Sequence, residues 1–173
     1  IEELKKVIAL SDLPNEHLQW ILDNSKSIDY EDGELVAKTG DPAESMFFII
    51  EGRIDYYRNV NGRLVFYHYF ANDADSGGAT GLLPYSRMKM YAGNSVVVGK
   101  LRGVQLHKDH FQELERLNPA FIQRLIGYMT ERARTFATTQ MQHEKVSALG
   151  NLAAGIAHEL NNPASAITRI SYE

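Results

Sequence analysis

Six consecutive residues near the C-terminus, His158-Glu159-Leu160-Asn161-Asn162-Pro163, carry the most specific chemistry in this 173-residue chain. An imidazole held outward on a helix can attack phosphorus through a neutral ring nitrogen, and an adjacent carboxylate can orient the ring or take its other proton. That gives His158 the role of nucleophile and Glu159 that of acid or base. Asn162 falls one helical turn after His158 on the same face, where its amide can position a water for the reverse, hydrolytic step. Pro163 deletes one helical hydrogen bond and is expected to kink or loosen the helix just beyond. A surface His-Glu pair before an Asn-Pro helix end would explain such residues taken singly. Their order on a heptad helix favours the chemical explanation.

The heptad is read from Val146, Leu149, Ala153, Ile156, Leu160, Pro163, Ile167 and Ile170, whose spacings alternate between three and four. That is a coiled-coil or helical-bundle seam. His158 falls at an outer position of it. A lone helix cannot bury a seam, so a homodimer through the C-terminal third, or packing against a further helix, is expected. Upstream, Asn118-Pro119 is a cap-then-proline start, and Phe121, Leu125, Met129, Ala133 and Phe136 keep helical spacing before a polar waist from Thr138 to Lys145. Asp109 with Gln112 forms a capping-box signal for a shorter helix before it.

The first half of the chain has another rhythm. Ile1 to Leu22 spaces its apolar residues as two short helices, broken at Ser11-Asp12-Leu13-Pro14. From Ser27 the period becomes two, with turn signals at Asp32-Gly33, Gly40-Asp41-Pro42, Glu51-Gly52 and Asn61-Gly62. Met46 to Ile50 reads as a fully buried strand. Leu64, Phe66, His68 and Phe70 form one face of an alternating strand, and Asn61-Gly62 predicts a type I′ hairpin between the two. Asn72 to Arg87 predicts a loop with one helical turn, and Ser95 to Val98 and Val104 to Leu106 predict further strands. The fold class is α+β: an antiparallel, jelly-roll-like β-roll with N-terminal helices and a long C-terminal dimerisation helix.

Composition bounds the function. The chain is 44% hydrophobic and 23% charged, the balance of a globular domain rather than a disordered or fibrous chain. A net charge of −4 supplies no global field toward nucleic acid or anionic lipid. With no cysteine there is no disulfide, thiolate metal site or thiol switch. No run of ~18 apolar residues offers a membrane span, and a cytoplasmic location is expected. The start at Ile1 reads as a piece of a longer protein.

Two resemblances follow from these motifs. Val146 to Pro163, running Val-Ser-Ala-Leu-Gly-Asn-Leu-Ala-Ala-Gly-Ile-Ala-His-Glu-Leu-Asn-Asn-Pro, resembles the first dimerisation and phosphotransfer helix of bacterial sensor histidine kinases. The resemblance implies His158 as phosphoacceptor, Glu159 as adjacent acid or base and Asn162 as the residue associated with phosphatase activity. It also implies ATP with magnesium in the full-length protein and a response regulator as partner. The ATP-binding domain is absent from these residues, so this piece alone is not expected to use ATP.

Leu13-Pro14, Gly33-Glu34 and Gly40 to Gly52 resemble the start of a cyclic-nucleotide-binding β-roll. In that family a Gly-Glu-led helical turn holds the ribose and an arginine pairs the cyclic phosphate. The resemblance implies a ligand segment at Gly77, Gly78, Ala79 and Thr80, with Arg87 at the arginine's distance. Gly78 stands where the ribose-binding glutamate is expected, and Arg87 lies outside the usual Arg-Ser/Thr-Ala context. Losing that acceptor costs ~1–3 kcal/mol, or roughly one to two decades of affinity, which argues against tight cyclic nucleotide binding.

The expected organisation is a sensory domain over 1–115, a connecting helix over 116–145 and the start of the phosphotransfer helix over 146–173. The leading function is the sensory and dimerisation region of a two-component histidine kinase, in which an unidentified ligand or protein partner at the roll controls His158. The alternative is a degenerate roll that docks a protein and senses no small molecule. A transcription factor would need a basic helix-turn-helix where the kinase-like helix stands, so no nucleic-acid partner is expected. His107 and His110 lack a second pair, so no metal is expected. His68 reads as a core or pocket histidine. Tyr85, Arg87, Lys89 and Tyr91 fit an anion pocket and a solvated loop equally well.

Overall fold

The computed structural model describes residues 1–170, with side-chain surroundings described to residue 158. The element order is α1 (Asn15–Asn24), β1 (Ser25–Tyr30), β2 (Leu35–Ala37), β3 (Ser45–Val60), β4 (Arg63–Ala71), β5 (Ala79–Gly81), β6 (Asn94–His107), α2 (Phe111–Leu117) and α3 (Pro119–Ile170). All strand pairs are antiparallel, in the order β1-β6-β3-β4, with β2 added on β6 and β5 on β3. This is the α+β roll with N-terminal helical turns and a long C-terminal helix that the sequence predicts. The chain divides into two compact units, 1–134 and 135–173.

The hairpin is where the local chemistry places it. Asn61 and Gly62 take φ of 53° and 82°, the pair of left-handed residues a type I′ turn demands, and the Gly62 N–H donates to Asn59 Oδ1 at 2.8 Å. Glu51-Gly52, by contrast, is no turn. β3 runs straight through it with a register shift, because β6 crosses so closely that a Cβ on Gly52 would lie 2.2 Å from the Lys100 carbonyl. The two short strands expected around Val98 and Val104 are likewise one strand, β6.

A second shift changes which face of β4 is buried. Tyr56 pairs with His68 but Tyr57 pairs with Phe66, leaving Tyr67 as the extra residue of a bulge. Tyr67 and Phe70 therefore point inward, while Leu64 and Phe66 are exposed. The single face expected for Leu64, Phe66, His68 and Phe70 does not form. Asn72 to Arg87 contains β5 and, before it, the one expected helical turn, closed by the Gly77 N–H on the Asp73 carbonyl at 2.8 Å.

One core joins both ends of the first unit. Leu4, Val7, Leu10, Leu18 and Ile21 pack with Met46, Phe48, Leu83 and Leu106 of the roll and with Leu114, Phe121 and Leu125. The segment before α1 is two 3-10 turns, Leu4–Lys6 and Ile8–Leu10, rather than a short α-helix, and Pro14 is the N-cap of α1. Asp109 does not cap α2. It lies within a 3-10 turn, and the cap there is the His107 ring, whose Nδ1 accepts the Asp109 N–H at 3.4 Å. Asn118 does cap α3: its Oδ1 accepts the Phe121 N–H at 3.0 Å, with Pro119 in the first helical position. The backbone of α3 continues past Pro163 to Ile170. Among the described residues no helix is long and apolar enough to cross a membrane.

Candidate functional site

The segment Ser76–Gly81 joins the end of β4 to β5 and is held almost entirely by its own chain. Asp73 Oδ1 accepts the N–H groups of Asp75 and Ser76 at 3.1 and 3.0 Å, and the Gly77 N–H donates to the Asp73 carbonyl at 2.8 Å. The Gly77 carbonyl accepts the Ala9 N–H at 2.8 Å, and that of Gly78 accepts the Ile49 N–H at 2.7 Å. Ala79 and Thr80 are buried and pair with Phe48 and Phe47. The segment is thus a strand stitched between β3 and the N-terminal turns. It presents no row of free N–H groups at a helix start.

Gly78 has a physical reason to lack a side chain. Its φ is +78°, and a Cβ there would meet Val7 Cγ1 at 2.8 Å and both Asn72 Oδ1 and the Ile49 carbonyl at 3.0 Å. A Cβ on Gly77 would lie 2.3 Å from the Tyr128 ring of α3. The space that a ribose-binding glutamate would need is packed, and the glycine is a close-approach residue. Arg87 is exposed in the following loop. Tyr85 hydrogen-bonds Glu115 of α2, while burial, followed by Asp41 and Tyr30, pushes the Tyr91 hydroxyl up to about 12. Lys89 is exposed. The tyrosines turn to different partners, and the four residues do not converge on one pocket.

A family model described as "Cyclic nucleotide-binding domain" matches residues 27–118, just over half of the chain. The chain belongs to the cyclic nucleotide-binding domain family. Several hundred solved structures share its fold. A mutant regulatory subunit of a cAMP-independent protein kinase A from Trypanosoma brucei, bound to cAMP in its A site, matches with a TM-score of 0.63 at 19% identity, over 82% of this chain and 49% of that one. The corresponding Trypanosoma cruzi subunit, bound to guanosine, matches at 0.62 and 18%, over 84% and 49%. The N-terminal domain of a Streptomyces coelicolor transcriptional regulator matches at 0.57 and 14%, over 80% and 94%. The chain spans about half the length of the trypanosomal subunits. No curated protein matches it.

Against this cyclic nucleotide-binding domain, α3 brings a residue that no motif in the sequence marks. The Arg132 Nη2 donates to the Ala79 carbonyl at 2.8 Å, and the guanidinium carbon lies 4.7 Å from the Phe70 ring centre. Burial pulls its pKa down to about 10. A cation seven residues after Leu125 and four after Tyr128, on the packed face of α3, was the available signal. Arg124, one turn before Tyr128, forks onto Asp12 with two 2.6 Å bonds and donates to the Ala9 carbonyl at 2.7 Å. His68 is half-buried against Phe70, with ring centres 5.0 Å apart, and its pKa is lowered by desolvation and then by Arg132. His107 and His110 have ordinary structural duties: Asp109 Oδ2 is 3.1 Å from His107 Nδ1, and His110 meets the Trp20 ring edge-on.

The second unit carries the other predicted group. His158 is exposed on α3, as are Val146, Leu149, Leu152 and Ile156, at 69, 65, 61 and 49%. The side chains of Glu159 and Asn162 lie outside the described residues.

Proposed function

We propose that this chain is the sensory and dimerising region of a sensor histidine kinase. The observation that carries the reading is the apolar seam Val146, Leu149, Ala153 and Ile156, left uncovered in the single chain on the helix that bears the His-Glu-Leu-Asn-Asn-Pro group. An apolar stripe of that period is stabilised by burial against a second helix, and a parallel homodimer brings two copies of His158 to outer positions. In the full-length protein a neutral His158 ring nitrogen attacks the γ-phosphorus of magnesium-bound ATP. The bond to ADP breaks, and Glu159 takes the proton from the other ring nitrogen. The phosphoryl group then passes to a response regulator. The organisation is a sensory roll over 1–115, a connecting helix over 116–145 and the first phosphotransfer helix from 146, within the cytoplasm. His158→Gln in the full-length protein should abolish acid-labile phosphohistidine, and label retained in that variant would refute the assignment.

The input is proposed to act on the roll. Trypanosomal neighbours of this fold hold cAMP and guanosine, so purine nucleosides and cyclic nucleotides are the first ligands to test. The packing around Gly78 weighs against a family-type ribose contact there. Calorimetric titration of the chain with cAMP, cGMP and guanosine, with Arg87→Ala as control, decides between a nucleotide-gated kinase and one gated by a different ligand or partner. Micromolar heat lost in the control supports the former.

A further inference from the structure

Three arginines of the first unit face carboxylates, whereas Arg58 lies over the Tyr67 ring, 5.2 Å from its centre, and Arg132 is set apart by burial. Arg53 faces Asp55, Arg102 faces Glu3 and Glu51, and Arg124 faces Asp12. Arg132 has no carboxylate within ion-pair distance among the described residues. Its contacts are one neutral carbonyl, Ala79, and the face of one neutral ring, Phe70. No acidic neighbour lifts its pKa against the pull of burial, so its charge stands uncompensated. A guanidinium has five N–H donors, and one is spent on Ala79. The residue as a whole is only partly buried. A flat fork with donors to spare, floored by an aromatic ring and lacking an internal anion, matches a group with two oxygens in one plane.

We propose that Arg132, Ala79 and Phe70 form a receptor for a small oxyanion, the phosphate or carboxylate group of a small molecule, held by the free edge of the Arg132 guanidinium above the Phe70 ring. The site is built by α3 on the outer end of β4 and the start of β5, and it uses neither Arg87 nor the kinase motif. His68 is a built-in reporter, because an anion on Arg132 offsets the field that now depresses its titration.

The test is an NMR titration of the isotopically labelled chain with inorganic phosphate and, separately, acetate, against chloride at matched ionic strength. The expected result is saturable shifts at Phe70, Ala79 and the Arg132 side chain, with an upward move of the His68 pKa. Phosphate alone would assign a phosphate-bearing ligand, and saturation by acetate as well would extend the site to carboxylates. Arg132→Lys should weaken binding by about tenfold, the loss of one charge-assisted hydrogen bond, and Arg132→Gln should abolish it. Shifts that track ionic strength equally in chloride, or that persist in Arg132→Gln, overturn the proposal. Should Arg132→Gln fail to fold, the wild-type comparison of phosphate and acetate with chloride still decides, since absence of saturation is a refutation.

Discussion

Restoring the family's glutamate at Gly78 should damage this domain rather than repair a nucleotide site. The substitution Gly78→Glu places a β-carbon on a backbone with φ of +78°, which costs about 1–2 kcal/mol for an L-residue. That carbon meets Val7 Cγ1 at 2.8 Å and the Ile49 carbonyl at 3.0 Å, an overpacking that costs about 1–3 kcal/mol. It also presses on Asn72, whose side chain accepts from the Ile8 N–H at 2.9 Å and donates to the Lys6 carbonyl at 2.6 Å. The carboxylate must then find solvent or remain buried without a partner. Together these amount to about 3–6 kcal/mol, a large part of the ~5–15 kcal/mol that holds a typical domain together. Gly78→Ala should lose the first two terms alone, about 2–5 kcal/mol. Urea unfolding followed by circular dichroism measures both, and at an m-value of about 2 kcal/mol/M the glutamate variant should unfold roughly 2 M earlier. A Gly78→Glu protein within about 1 kcal/mol of wild type that also gains cyclic AMP affinity would refute the packing argument and restore the degenerate-site reading.

Arg124→Ala removes the fork to Asp12 and the bond to the Ala9 carbonyl. With Asp12 largely exposed, the loss should be about 1–2 kcal/mol in urea unfolding. Because Arg124 holds the Asp12 carboxyl below its usual range, their contribution is complete above the unfolded carboxylate pKa and fades as pH falls through the lowered folded value. The variant should therefore lose less stability than wild type on acidification below about pH 4. His68, with its pKa depressed by burial and then by Arg132, stabilises when neutral. Its contribution is complete above the unfolded histidine value and is lost as pH falls through the lower folded one, so His68→Gln should flatten the stability profile below about pH 6.5. Leu149→Glu, at a 65% exposed seam position, should shift the proposed seam dimer to monomer in sedimentation velocity without altering the roll. An unchanged sedimentation coefficient would refute a dimer through this seam.

What the sequence makes legible depends on how local the determinant is. The Asn61-Gly62 turn, the Asn118 cap and the buried run from Met46 are set by residues adjacent in the chain, and each is found where its chemistry places it. The bulges at Gly52 and Tyr67 are set by a partner strand, so their residues read as a turn and as a regular alternation until the pairing with β6 or β3 is known. The same limit applies to the site. Gly78 looks like a lost ligand residue when aligned with a motif. In the fold it faces Asn72, six residues before it, and Val7 and Ile49, from two distant stretches that no spacing rule connects. Arg132 is legible only as a cation on the packed face of α3: the meeting of α3 with β4 and β5 is what sets it on the Ala79 carbonyl and the Phe70 ring.

These contacts constrain how any input at residues 77–80 can act. The surfaces an occupant would use are already taken by the chain itself: Tyr128 against Gly77, Val7 and Asn72 against Gly78, and Arg132 on the Ala79 carbonyl. A ligand or partner that enters there must displace at least one of them, and its apparent affinity falls by the cost of doing so. Apart from Asn72, which follows β4, these groups lie on the N-terminal turn and in the first part of α3, which Arg124 also ties together through Asp12 and Ala9. An occupant that binds equally well whether or not Arg132 and Tyr128 stay docked favours neither arrangement of α3 and transmits nothing, however tightly it binds. An oxyanion on the free edge of Arg132 meets the requirement differently: it adds a counter-charge only while Arg132 stays docked, and so stabilises the contact between α3 and β4 instead of breaking it.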